Sequence, residues 1–199
     1  IDNDQRDMKL FGPEFSSLQS LESLIICSPG TNGSLEHVMT CSNLTQLIIG
    51  DFPSQMRGLE HCDSFKLYNG TNPFHFTLRG HIPESIGNLR HLKRLVLAMT
   101  LLQGPIPNSI GNLNSLELLQ LSGCPDIRGS IPPSISKLTN LQELSLYANN
   151  LTGPLPVGIS NLAKLQHLML HHNQFTGKYM VHSEESTSTD SFLQGQFQR

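Results

Sequence analysis

Four times between Leu89 and Gly177 the chain writes one phrase, L-x-x-L-x-x-L-x-L. The copies open at Leu89, Leu113, Leu138 and Leu162, at spacings of 24, 25 and 24 residues. The first three copies continue, after a short polar gap, into G-x-(I/L)-P. A unit of this length cannot bury its apolar face alone, so copies stack on one another and form a solenoid. A stack of this kind offers an extended surface rather than a pocket, and its expected work is binding rather than chemistry.

The third copy, LTNLQELSLYANNLTGPLP, shows how one coil is built. Leu144 and Leu146 alternate with Glu143, Ser145 and Tyr147, the period-two pattern of a short half-buried strand. Asn149 follows three residues after Leu146, where an amide side chain can satisfy backbone groups that a sharp bend leaves unpaired. Leu151 and Leu155 return to the core, Gly153 permits the close turn and Pro156 stiffens the next segment. Ile159 to Leu162 then lead into the next strand through one helical or 3₁₀ turn. Each copy thus makes one coil, and the stacked strands form a parallel sheet along one side.

The stretches LRGHIPESIGNLRHLKRLVL, LQGPIPNSIGNLNSLELLQL, IRGSIPPSISKLTNLQELSL and LTGPLPVGISNLAKLQHLML lie within the span Leu78 to Gly177. In them the chain resembles the plant-type extracellular leucine-rich repeat, L-x-x-L-x-L-x-x-N-x-L-x-G-x-I-P-x-x-(I/L)-x-x-L. The resemblance implies an α/β solenoid, a right-handed superhelix with a concave parallel β-sheet and short 3₁₀, helical or irregular convex segments. Two departures stand out: Thr100 replaces the Asn, and the second copy carries one extra residue around Cys124-Pro125-Asp126.

Upstream the pattern decays. Leu21-x-x-Leu24-x-Ile26, Leu44-x-x-Leu47-x-Ile49 and Cys62-x-x-Phe65-x-Leu67 each read as a strand of the same type, giving seven coils, three degenerate and four regular. Residues 1–77 are thus taken as degenerate coils, 78–180 as four regular repeats and 181–199 as a disordered polar tail, rich in Ser, Thr and acidic residues. Neither end carries a convincing polar cap. Thirteen Lys+Arg against sixteen Asp+Glu give a net charge of -3, with no basic run, so no nucleic-acid partner is expected. Apolar stretches such as Leu95 to Leu102 are too short to span a bilayer. No secretion signal is visible, and the opening Ile1-Asp2-Asn3-Asp4 without Met reads as a mature or truncated fragment.

In the repeat the resemblance implies, the non-leucine strand positions face the concave side. These are Ser23/Ile25/Cys27, Gln46/Ile48/Gly50, Ser64/Lys66/Tyr68 and Arg94/Val96/Ala98, then Leu118/Gln120/Ser122, Glu143/Ser145/Tyr147 and His167/Met169/His171. Tyr and Arg combine contact area with hydrogen bonding and are favoured as binding anchors. Lys66, Tyr68, Arg94, Glu143, Tyr147, His167 and His171 are the candidate partner contacts, set against the plain alternative that they are solvated positions.

Other chemistry is not expected. His167 and His171 stand about 13 Å apart at strand rise, too far to share an ion. His172 points to the opposite side, and no Cys or carboxylate completes a ligand set. Cys41 and Cys62 occupy apolar positions, so buried thiols are expected, although a bridge between them is open. Cys124 is assigned to the insertion and Cys27 to a strand edge. Extracellular relatives carry a paired-cysteine cap that has no counterpart here. No phosphate-binding glycine loop, kinase element or G-x-S-x-G elbow is present, and no cofactor is expected. Acceptors for N-linked sugar, N-x-(S/T), occur at Asn32, Asn43, Asn69 and Asn150. Asn69 is favoured for its long turn, whereas Asn150 is set beside Asn149 and taken as restricted.

The resemblance implies a non-catalytic module of a plant cell-surface receptor, in signalling or defence, that recognises a protein or peptide ligand or docks a co-receptor. The expected location is extracellular or at the cell surface. Two alternatives stay open: a secreted inhibitor of the polygalacturonase-inhibitor type, against which the missing cysteine pairs argue, and an intracellular scaffold.

Overall fold

A computed structural model describes residues 9–11, 13–26, 32–33, 35–50 and 78–177. The strands in chain order are β1 (Lys9–Phe11), β2 (Ser23–Ile26), β3 (Asn32–Gly33), β4 (Gln46–Gly50), β5 (Arg79–His81), β6 (Arg94–Ala98) and β7 (Leu101–Gly104). There follow β8 (Leu118–Gln120), β9 (Asp126–Gly129), β10 (Glu143–Ser145), β11 (Asn150–Gly153), β12 (His167–Met169) and β13 (Gln174–Phe175). Every pairing among them is parallel.

The long sheet runs β2-β4-β6-β8-β10-β12. Its leucines are in register across all six strands, Leu24 to Leu47, Leu95, Leu119, Leu144 and Leu168. A slip of one residue would turn every leucine out of the core, so the apolar pattern itself fixes this register. A second sheet, β5-β7-β9-β11-β13, flanks the same core. Between the sheets lie Leu95, Leu97, Leu102, Ile110, Leu119, Leu121, Leu144 and Leu151, all fully buried. The coils are closed by 3₁₀ turns at Glu84–Asn88, Asn108–Asn112, Pro133–Lys137 and Val157–Asn161, each preceded by an extended proline. The Gly of G-x-(I/L)-P is needed for its backbone: Gly104, Gly129 and Gly153 have φ of 84°, 87° and 76°, a region where a Cβ is penalised.

One expectation is corrected. β4 pairs directly with β6 over five residue pairs from Gln46↔Arg94 to Gly50↔Ala98. The sheet therefore has no strand between them, and among the described residues it counts six strands where seven coils were expected. The run from Cys62 to Tyr68, read as the missing strand, lies outside the described residues. Gln46 and Arg94 are 48 positions apart in the sequence, two periods long, so a spacing rule could not distinguish a coil from an insertion of a coil's length.

A second correction concerns Cys124. It sits three residues after Leu121, as Asn149 follows Leu146 and Asn173 follows Leu170. The Asn149 amide donates to the carbonyls of Leu121 and Leu146 and accepts from Cys124 N–H at 3.0 Å. Asn173 donates to Leu146 and Leu170 at 2.7 and 3.0 Å and accepts from Leu151 N–H. Cys124 holds the same rung with sulfur: its thiol donates to the Leu97 carbonyl at 3.5 Å and lies 3.2 Å from the Thr100 hydroxyl. Thr100, one coil earlier, is itself buried on the rung where Asn was expected. Burial pushes the Cys124 thiol above its ordinary pKa, against the hydrogen bond from Thr100, so it stays a neutral packing group.

Candidate functional site

The concave face is built of three rows. The first runs Ser23, Gln46, Arg94, Leu118, Glu143, His167, and the second Ile25, Ile48, Val96, Gln120, Ser145, Met169. The third continues the alternation through Gly50, Ala98, Ser122, Tyr147 and His171. Side chains two residues apart on a strand share a face, so the six strands bring residues 144 positions apart onto one surface.

The rows differ in access. In the second, Ile48, Val96, Gln120 and Ser145 are each 0% exposed, although they lie outside the leucine core. Only its ends are open, with Ile25 at 49% and Met169 half-buried. Ala98 and Ser122 in the third row are likewise buried, and Ser122 and Ser145 spend their hydroxyls on each other at 2.9 Å. The expectation that the concave face as a whole is the contact surface is thereby narrowed. The accessible positions are the first row, where Arg94, Leu118 and Glu143 are half-buried and His167 is exposed, and the end of the third row.

At that end Tyr147 and His171 stack, ring centroids 4.9 Å apart and planes 5° from parallel. His172 meets His171 edge-on at 5.2 Å. Burial raises the Tyr147 phenol above its usual pKa, with a lesser push from Cys124, so the hydroxyl stays a neutral hydrogen-bonding group. Burial also lowers His171, with a lesser contribution from the neighbouring His172 charge, so its imidazole is held neutral against Tyr147. The result is a flat, half-buried ring pair, separated from Glu143 and His167 by the middle row, that can stack on an aromatic or peptide group and hydrogen-bond to it.

Of the residues singled out in the sequence, Arg94, Glu143 and His167 thus stand in one row and Tyr147 and His171 in one stack. Lys66 and Tyr68 lie outside the described residues. Asn43 and Asn150 are exposed, the side chain of Asn32 is not among those described, and Asn69 lies outside them. Among the described residues, no three His, Cys, Asp or Glu side chains are grouped to hold a metal ion, and no helix is long and apolar enough to cross a membrane. Gln120 carries a feature invisible in the sequence: both its amide nitrogen and its oxygen are buried with no hydrogen-bond partner among the described residues.

Three solved structures are similar to this chain. The first is the LRR ectodomain of the plant membrane receptor kinase GASSHO1/SCHENGEN3 from Arabidopsis thaliana, in complex with CASPARIAN STRIP INTEGRITY FACTOR 2. It is 29% identical at a TM-score of 0.64 over 82% of this chain and 17% of that one. The Arabidopsis receptor kinase HAESA, in complex with the peptide hormone IDA and the co-receptor SERK1, is 30% identical at a TM-score of 0.61, covering 81% of this chain and 24% of that chain. A plant ice-binding protein is 31% identical at a TM-score of 0.59, over 76% of this chain and 42% of that one. The chain therefore spans a fraction of the length of each. No curated protein matches it. A family model described as a leucine-rich repeat region matches residues 75–183, more than half of the chain, and the protein belongs to the leucine-rich repeat family.

Proposed function

We propose that this chain is a recognition module of a plant cell-surface receptor, working outside the cell, that binds a protein or peptide ligand or a co-receptor and carries out no chemistry of its own. The observation that carries this reading is the accessible row Arg94, Leu118, Glu143 and His167 on the same face as the Tyr147–His171 stack, across the buried middle row. A cation, an apolar side chain, a carboxylate and a flat ring pair, held in register by the sheet, make a mixed surface suited to an extended polypeptide. Two of the similar plant receptor structures hold a peptide hormone or a named factor in their complexes, which supports the class of ligand and leaves its identity to experiment. Rigid stacked coils hold these side chains in place beforehand, so little ordering entropy is spent on association.

The test is binding of the secreted chain to a panel of secreted plant peptides and co-receptor ectodomains by calorimetry. A partner found in this way should lose at least ~30-fold in affinity when Arg94, Glu143 and Tyr147 are replaced together by Ala, since central anchors contribute on the order of 1–2 kcal/mol or more each. An unchanged Kd for that triple variant would remove these residues from the contact.

A further inference from the structure

Asn43 and Asn150 both head an N-x-T acceptor and both are exposed, so neither sequence nor exposure separates them. Their hydrogen bonds do. The Asn43 amide nitrogen donates to the Gln19 carbonyl of the preceding coil at 2.8 Å. Asn140, one residue before a repeat leucine as Asn43 is, makes the same bond to Asn114 at 2.9 Å. Asn43 is thus a brace between coils, with one of the two N–H groups of the nitrogen that would carry a sugar held against the preceding coil. A sugar on the other N–H would crowd the Gln19 carbonyl and work against that brace.

Asn150 is arranged the other way. Strand β11 alternates, so Leu151 is buried while Asn150 and Thr152 both face outward. Its neighbour Asn149 turns inward to the ladder, so the two asparagines do not compete for space. Among the described residues the hydrogen bond of the Asn150 side chain is through oxygen, which accepts from Gln174 of the next coil. The nitrogen has no hydrogen-bond partner among the described residues, and a glycosylated asparagine keeps that oxygen. Asn150 also lies on the second sheet, away from the concave rows, where a sugar leaves the Tyr147–His171 end open.

We propose that Asn150 is the N-glycosylated position among the two described acceptors and that Asn43 is a structural brace that stays bare. The physiological meaning of this site rests on the extracellular reading above. The structural assignment does not, because a host leader can drive the chain into the secretory path. The experiment is secretion of the whole 199-residue chain behind such a leader from plant cells. N-glycosidase release in heavy-oxygen water then marks each formerly occupied Asn for peptide mass spectrometry.

Asn150 is expected to be marked in most molecules and Asn43 in almost none. Thr152→Ala should abolish the mark at Asn150, Thr152→Ser should keep it, and both leave the Asn150–Gln174 bond and the fold in place. A secreted chain bare at Asn150, or one marked at Asn43, overturns the assignment whatever the natural compartment. Resistance of the chain in its own tissue to N-glycosidase, with Asn150 occupied under forced secretion, would instead overturn the extracellular reading and leave the acceptor assignment standing.

Discussion

Replacing Asn149 by Ala should be among the most damaging single polar substitutions in the chain, and its cost can be worked from the bonds. The amide serves three buried backbone groups: the Leu121 and Leu146 carbonyls and the Cys124 N–H. Leu146 keeps a partner after the change, because Asn173 also donates to it at 2.7 Å. The Leu121 carbonyl and the Cys124 N–H lose the amide that binds them. A buried backbone group left unsatisfied costs about 1–3 kcal/mol, so the two together predict a loss of about 2–6 kcal/mol.

Asn150→Ala, one residue away, removes one exposed contact and should stay within about 0.5 kcal/mol of the parent. Urea denaturation followed by circular dichroism gives the two values. Amide hydrogen exchange localises the effect, which should concentrate on the coils joined at Cys124 and Asn149, because each repeat contacts its neighbours alone. If Asn149→Ala cost no more than Asn150→Ala, the ladder would not be a stabilising device and the reasoning would fail.

Three other perturbations test the same physics elsewhere. Ala148 holds φ of 56°, a left-handed conformation shared by Met99 and His172 at the same place in their coils and by Gly123 at 68°; Ala148→Gly should raise stability by about 0.5–1 kcal/mol in denaturant titration, the relieved Cβ penalty exceeding the added chain entropy. A Cβ on Gly111 would fall 2.6 Å from the Ser134 Cβ and meet backbone as well, so Gly111→Ala should destabilise by about 1–3 kcal/mol through overpacking, and a neutral result would mean that the 3₁₀ turns can slide apart. His171 carries a pKa below the ordinary 6.5, so the unfolded chain takes up its proton first: the contribution is complete above pH 6.5 and fades as pH falls through the lower folded value. His171→Gln should therefore flatten the stability-versus-pH curve on the acid side of neutrality, and parallel curves for the two proteins would refute the assignment.

The stack was legible because leucine spacing encodes it. Leu95, Leu119, Leu144 and Leu168 are paired in register as their period requires, and Gly153 has the left-handed backbone that its place in the turn demanded. What the spacing could not carry was whether 48 residues made one step or two. The direct pairing of β4 with β6 depends on which backbone edges meet, and a period counted along the chain is blind to that. Cys124 misled for a related reason. Its thiol reaches the leucine carbonyl of the preceding coil as the ladder amides do, but the extra residue beside it made the insertion look like its place.

The candidate site was legible in membership and illegible in access. Alternation correctly put Val96, Gln120 and Ser145 on the side away from the leucines, and that side was expected to meet solvent. Their complete burial shows that facing away from the core and being open to a partner are different properties. The distinction bears most on Gln120, whose amide has lost water without gaining a partner among the described residues, a state that costs about 1–3 kcal/mol. If the side chain does nothing more, Gln120→Leu should raise the melting temperature by a few degrees; if stability falls instead, the amide is satisfied in solution and the middle row is wetter than its burial implies. On the proposed reading, recognition begins at the edges of this face, where Arg94, Glu143, Tyr147, His167 and His171 retain access. A ligand reading those edges would discriminate by the few charges and rings that break the repeat.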